Sequence, residues 1–329
     1  MLHTNDAELV ELVRSPFAAE ALSDPGGMVV VTGPGGIDEA ASQEIAAALA
    51  SLPCVVVGET GGTASAHTDL EIEPGLTGVD DVLRVVEHAP LAATAFALLL
   101  RASPATRPRD DAVDAGLVAE SSTYSMLQAG PEFAAWRAAR PRREPSVGTG
   151  PAVRVERTGA RLDLVLDRPE VRNALDRRLR DGLLEGLTVA AADATVTEVV
   201  VRGEGPSFCS GGDLDEFGSF VDPAAAHLVR LTASIGRAIH ALRDRVRFEV
   251  HGPCAGSGVE LPAFADRVTA APDYEAVLPE VTLGLIPGAG GTVSLPRRIG
   301  RHRTALLALS GARIDAATAL HWGLVDAIS

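Results

Sequence analysis

The sequence predicts an α/β fold on three observations. Short β-branched runs alternate with segments of helical period. A strand, helix, strand unit over residues 162–202 ends in a glycine-rich turn, as a βαβ repeat would. The stretch Pro141-Arg142-Arg143-Glu144-Pro145-Ser146-Val147-Gly148-Thr149-Gly150 mixes proline, glycine and charge without apolar periodicity, and so reads as a connector between two regions.

Beyond the connector, Leu162 to Leu166 alternates like a strand and Arg168-Pro169-Glu170 makes a turn. Asn173 is placed to cap a helix whose leucines recur at 175, 179, 183, 184 and 187, and Glu198 to Arg202 is the next strand. The pattern continues as helix 223–243, strand 247–251, a helix opening at Gly258, strand 267–271, and helices near 301–309 and 315–322 with Gly323 as C-cap. The first 140 residues repeat this pattern faintly. Met28 to Thr32 reads as a strand, Ile37 to Ala50 as a helix and Cys54 to Gly58 as a second strand, while Asp114-Ala115-Gly116-Leu117-Val118-Ala119 echoes Trp322-Gly323-Leu324-Val325-Asp326-Ala327. Gly33 to Gly36 carries neither a full P-loop nor a full dinucleotide fingerprint, and reads as a plain turn.

Composition limits function. With 329 residues, 46% of them hydrophobic, the chain can bury a substantial core. A formal charge of −15 argues against a nucleic-acid partner, which requires a basic surface. No lysine occurs, as codon bias in a GC-rich genome would produce. Cys54, Cys209 and Cys254 are odd in number and lack metal-ligand spacing, so neither disulfides nor a metal site is expected, and a cytoplasmic setting fits. Residues 1–14 carry Asp6, Glu8 and Glu11 where a signal peptide would be basic and then apolar. The longest apolar run, Leu91 to Leu100, falls short of the roughly 20 residues a span requires, so no membrane partner is expected.

Three segments carry the chemistry. They are Phe208-Cys209-Ser210-Gly211-Gly212-Asp213-Leu214, then Gly252-Pro253-Cys254-Ala255-Gly256-Ser257-Gly258-Val259-Glu260-Leu261, then Leu278-Pro279-Glu280-Val281 running into Gly284-Leu285-Ile286-Pro287-Gly288-Ala289-Gly290-Gly291-Thr292. In order and spacing they resemble the crotonase, or enoyl-CoA hydratase/isomerase, superfamily, over roughly residues 151–329. The resemblance implies a crotonase-like ββα superhelix in the C-terminal half; the fainter pattern before it is read as a smaller, degenerate crotonase-like α/β region, with a generic α/β domain as the alternative.

It also implies roles. Glu260 and Glu280 match the carboxylates that hold one water between them in family hydratases, one acting as base on the water and the other protonating the α-carbon. The backbone amides of Ser210 and Ser257 match the two oxyanion donors, and Ser257 departs from the glycine usual at its position. Arg168 and Arg172 resemble positions that meet CoA phosphates or adenine, and in a chain without lysine arginine must do this. Phe208, Gly211, Gly212, Asp213, Leu214, Gly256, Pro287 and Gly288 complete the expected substrate frame. Outside the resemblance, Glu260 reads as a helix N-terminal carboxylate and Asp213 as a turn-securing residue.

Residues 120–140, with Tyr124, Leu127, Phe133 and Trp136, are similar to the helical tail that follows the crotonase core, and the C-terminal half stops at Ser329 where that tail should begin. The expected organisation is therefore a degenerate α/β and helical region at 1–140, a linker at 141–150, and a catalytic core at 151–329 whose missing tail is supplied by 120–140, packed over the Glu260/Glu280 pocket. The expected activity is an enoyl-CoA hydratase, a hydro-lyase needing no cofactor beyond the CoA of its substrate, assembled as a homotrimer or hexamer. Isomerase, thioester hydrolase and C–C lyase activities are the sister alternatives. A non-catalytic acyl-CoA-binding subunit is the rival from another class, motivated by Ser257 and by Pro262 so soon after Glu260.

Overall fold

Valine-rich segments build the first sheet of this computed structural model, which describes residues 1–22, 27–32, 37–59, 66–102, 110–141, 150–219 and 222–329. Strands β1 (Leu2–Thr4), β2 (Gly27–Val31), β3 (Cys54–Gly58) and β4 (Leu70–Glu71) lie in that order, all parallel. Both faces are covered, which is why these strands read as unbroken apolar runs. Val29, Val31, Cys54 and Val56 pack with Leu9, Ile45 and Leu49 of helices α1 (Asp6–Arg14) and α3 (Glu39–Leu49), with the short α2 (Ala18–Leu22) alongside; Met28, Val30, Val55 and Val57 face the main core. A capping box between Asn5 and Glu8 starts α1. The expected strands and helix here agree to within about two residues. The expected turn at Gly33–Gly36 and most of the expected linker lie outside the described residues.

Four helices follow: α4 (Val79–His88), α5 (Pro90–Ala102), α6 (Asp110–Gln128) and α7 (Pro131–Ala139). Among the described residues, no single helix is long and apolar enough to cross a membrane. Arg101, on α5, locks these helices to the first sheet. It pairs with Asp69 at 2.6 Å and donates to the carbonyls of Leu49, Leu52 and Cys54. The sequence echo between 114–119 and 322–327 does not extend to conformation. Gly116 lies inside α6 with Val293 against its Cα, whereas Gly323 ends a helix at φ 82°.

The second sheet begins with the antiparallel pair β5 (Val153–Thr158) and β6 (Arg161–Leu166). Helix α8 (Arg177–Ala192) leads to β7 (Glu198–Gly203), then α9 (Pro223–Thr232), α10 (Ile235–Ala241), β8 (Val246–Val250), β9 (Pro253–Ala255) and α11 (Ser257–Glu260). The chain closes with β10 (Arg267–Ala270), β11 (Glu275–Val277), α12 (Gly291–Ile299), α13 (Arg301–Ser310), β12 (Ile314–Asp315), α14 (Ala316–Trp322) and β13 (Ala327–Ile328). The six-stranded sheet runs β13-β10-β8-β7-β6-β5, and β12-β11-β9 form a three-stranded companion. Arg301 donates to the carbonyls of Thr68 and Ala66, so the first sheet is tied to this core.

Two sequence expectations are corrected. Asp176, not Asn173, caps α8, accepting from the Leu179 amide at 2.8 Å. Asn173 is left-handed at φ 53° and instead pins the loop that follows β7, its Nδ2 donating to the carbonyls of Glu204 and Ser207. The expected helix 223–243 is broken because the Ser234 hydroxyl oxygen accepts from the Arg237 amide and starts α10 afresh.

Candidate active site

Glu260 ends α11, and Glu280 opens a 3₁₀ turn, Glu280–Leu283, directly after Pro279. Gly256, with φ 47°, holds the two together. A Cβ there would collide with Glu280 Oε1 and lie 3.7 Å from Glu260 Oε1, so only glycine leaves both carboxylates room to face one another. Glu260 Oε2 accepts from the amides of Ala289 and Gly291, each at 2.8 Å. Glu280 Oε2 is buried with no hydrogen-bond partner among the described residues. A buried acceptor left open in this way is a seat for a water or a substrate proton.

A third carboxylate stands beside them. Glu120, on α6 and 2% exposed, accepts from the Gly290 amide at 2.7 Å, the Thr292 amide at 2.9 Å and the Thr292 hydroxyl at 2.7 Å. Burial pushes Glu120 up to about 7 against the lowering effect of these donors. Burial also raises Glu280 to about 7, with the Glu120 charge adding to it. Glu260 is driven well above the ordinary carboxylate range, first by burial, then by Glu280 and Glu120. Three such groups cannot all be ionised at neutral pH, so the cluster retains protons to give.

Sequence reasoning placed Glu120 at the head of the tail but gave it no role in the site. The signal was present. Val113, Leu117, Glu120, Tyr124 and Leu127 recur at helical spacing, which sets an acid within an apolar stripe. The same stripe carries α6 over the site as the resemblance implied: Tyr124 fills the space a Gly288 side chain would need, and Leu117 lies against Gly290. Helix α7 follows, with Phe133 buried and stacked on Trp136 at 5.6 Å, and Trp136 tilted over Phe217. Gly284, at φ 72°, has the Phe133 amide and Glu132 directly against its Cα.

The remaining expected residues divide. Ser257 opens α11, where a helix has no acceptor of its own for the N–H, and none is found among the described residues. The Ser210 amide, in contrast, donates to the Arg172 carbonyl at 3.0 Å. Gly211 at φ 96° approaches the Ala255 carbonyl, and Gly212 bridges to Leu175 beneath Phe217. Asp213 secures the turn by accepting from the Asp215 amide, with Leu214 half-buried beside it. Phe208 is core, packed edge-on to Phe248. Pro287 is buried and Gly288 half-buried above the glutamates. Arg168, expected to meet CoA at the surface, is 3% exposed. It pairs with Asp176 at 2.9 Å and donates to the Ala174 carbonyl, which makes it part of the loop scaffold. Arg172 is exposed in a left-handed conformation at φ 53°.

A cavity of about 200 Å³ reaches the cluster, lined by Glu120, Leu261 and Gly288–Gly290 on one side and by Val229, Arg230 and Ile235 on the other. An adjoining cavity of about 270 Å³ shares Arg177, Arg180 and Arg230 and adds Tyr124 and Phe217. The shared residues make the two cavities neighbours; Glu120, and neither Glu260 nor Glu280, is the carboxylate of the cluster that lines them.

The enoyl-CoA hydratase/isomerase family model matches residues 158–329. A 2,3-dehydroadipyl-CoA hydratase of Escherichia coli (strain K12) is 36% identical over 165 residues, which cover 50% of this chain and 64% of that protein. An enoyl-CoA isomerase/hydratase of Mycosarcoma maydis is 34% identical over 175 residues, with the same 50% and 64% coverage. The chain therefore spans a little under two thirds of the length of these relatives. Among solved structures, an enoyl-CoA hydratase from Thermoplasma volcanium GSS1 superposes with a TM-score of 0.51 at 34% identity, over 55% of this chain and 72% of that one.

Proposed function

We propose, since the chain belongs to the enoyl-CoA hydratase/isomerase family, that it hydrates a 2-enoyl-CoA with Glu260 and Glu280 as the acid/base pair. One observation carries this reading: Glu280 presents a buried oxygen with no partner among the described residues, beside Glu260 and across a glycine that admits no side chain. A water seated between the carboxylates loses a proton to one of them as its oxygen bonds to the β-carbon. The α-carbon receives a proton from the other, so the pair ends with as many protons as it began with. Negative charge builds on the thioester oxygen in the transition state, and the Ser257 N–H is the donor set to receive it. The Ser210 N–H joins it once the thioester oxygen displaces the Arg172 carbonyl. CoA enters as part of the substrate.

The test is incubation of the full chain with trans-2-enoyl-CoA thioesters in ¹⁸O-water, followed by mass spectrometry. Hydration yields a 3-hydroxyacyl-CoA carrying the label. A shifted double bond without label would make the protein an isomerase, and released free CoA a hydrolase.

A further inference from the structure

Arg230 is a feature of these cavities that hydration of a plain enoyl chain does not use. It projects from α9 towards α6, where its guanidinium lies 4.6 Å from the centre of the Tyr124 ring; Nε donates to the Ser121 hydroxyl at 3.1 Å and Nη2 to that of Ser125. These contacts fix its orientation and leave Nη1 without a hydrogen-bond partner among the described residues. No carboxylate among the described residues is within ion-pair distance of it.

The acids that face these cavities are engaged elsewhere. Glu120 is filled by three donors from the glycine-rich loop. Asp176 pairs with Arg168, and Glu216 accepts from the Arg177 amide at 3.0 Å. Arg230 is half-buried, and the Glu120 charge acts on it from beyond ion-pair distance; a planar, pre-oriented fork held this way is suited to bidentate recognition of an oxyanion. The wall around it is mixed: Leu117, Val229, Ala233, Ile235, Leu261 and Ala289 give it an apolar part, and Asp176, Arg177, Arg180 and Glu216 a charged one. Leu261 and Ala289 adjoin the acid/base site, since one follows Glu260 in sequence and the other donates to it.

We infer that these cavities take an enoyl chain whose far end carries a carboxylate, and that Arg230 binds that carboxylate. This deepens the proposed hydration by naming its substrate class. CoA phosphates are the other source of the same oxyanion chemistry. Leu261 and Ala289, in the same cavity lining as Arg230 and adjoining the glutamates, fit an acyl chain, whereas Arg177, in that lining but exposed, suits the phosphates.

The experiment measures binding of ligands that cannot be hydrated, so that it stands apart from the catalytic reading: adipyl-CoA, hexanoyl-CoA and free CoA, titrated calorimetrically into the full chain. The wild type should bind adipyl-CoA at least about a hundredfold more tightly than hexanoyl-CoA. Arg230→Met should bring that ratio to within a few-fold of unity, and Arg230→Lys, which keeps the charge and loses the fork, should fall between. Equal affinity of the wild type for the two acyl-CoAs would overturn the inference. So would an Arg230→Met variant that weakens free CoA as much as adipyl-CoA, which would move Arg230 to the phosphates. Failure of hydration in the ¹⁸O assay with the binding ratio intact would overturn only the reaction.

Discussion

Glu120 and Glu260 take alternate amides of one loop: Gly290 and Thr292 donate to Glu120, and Ala289 and Gly291 donate to Glu260. Each carboxylate thus sets the phase of the backbone that orients the other. Glu120→Gln should therefore act on Glu260 through the backbone of this loop. Its amide NH₂ would face an N–H in place of an acceptor, leaving a buried donor unpaired at about 1–3 kcal/mol. Thermal or urea unfolding should show that loss, and kcat should drop at least about tenfold with KM changing less, because Glu260 loses its alignment. A variant as stable and active as the wild type would remove Glu120 from the site.

Glu260→Gln and Glu280→Gln should each lower turnover by about a hundredfold or more, the lower range of acid/base effects. A shift to pure double-bond migration in Glu280→Gln would assign the remaining carboxylate to isomerisation. Near-normal hydration by either variant would disprove the two-carboxylate mechanism.

The same carboxylates set the pH dependence of stability. Glu120 and Glu280 titrate at about 7 when folded, above the ordinary 4.5 of the unfolded chain, so the folded state binds more protons between these values. Unfolding free energy should then fall as pH rises from about 4.5 to 7, by roughly 3 kcal/mol for a single group shifted that far. Glu280→Gln, which cannot ionise, should flatten the decline in urea titrations taken across this window. An equally steep decline in that variant would place the destabilising charge elsewhere.

The backbone assignment at Ser257 is tested by two substitutions. Ser257→Gly should retain activity. Ser257→Pro removes the N–H at the first position of a helix, where proline is otherwise tolerated, and should cost roughly 3 kcal/mol of transition-state stabilisation while the melting temperature stays near that of the wild type. A folded and fully active proline variant would exclude this donor.

What was legible in the sequence was local. Glu260 and Glu280 each sit in a glycine frame a few residues long, so the pair could be read from residue order, as could Gly323 from its place after a helical run. The roles of Asn173 and Arg168 were hidden because their partners lie on other segments or point inward: Asn173 reads as a helix cap until Glu204 and Ser207 are seen beside it, and Arg168 reads as a surface cation until Asp176 is seen beneath it. Glu120 is the extreme case. Its partners at Gly290 and Thr292 are far along the chain, and only its position in an apolar stripe marks it.

Removal of residues 1–145 tests whether the core is complete without what precedes it. The deletion takes away Glu120 and with it the acceptor for Gly290 and Thr292, exposing two buried amides and a buried hydroxyl. It also removes Tyr124 from beside Gly288 and Phe133 from beside Gly284, and strips α4 from α13 and Arg301 of its two carbonyl acceptors. The apolar surface uncovered, including Val281, Leu285 and Val293, would be a contiguous patch of the kind that drives aggregation. The truncated chain should be insoluble, or soluble and inactive despite intact Glu260 and Glu280. A milder probe keeps the whole chain. Gly284→Ala places a methyl group against the Phe133 amide at a φ of 72°, and should destabilise the protein by more than about 1 kcal/mol while lowering activity. A soluble, fully active truncation together with a neutral Gly284→Ala would show that α6 and α7 only rest on the site and do not complete it.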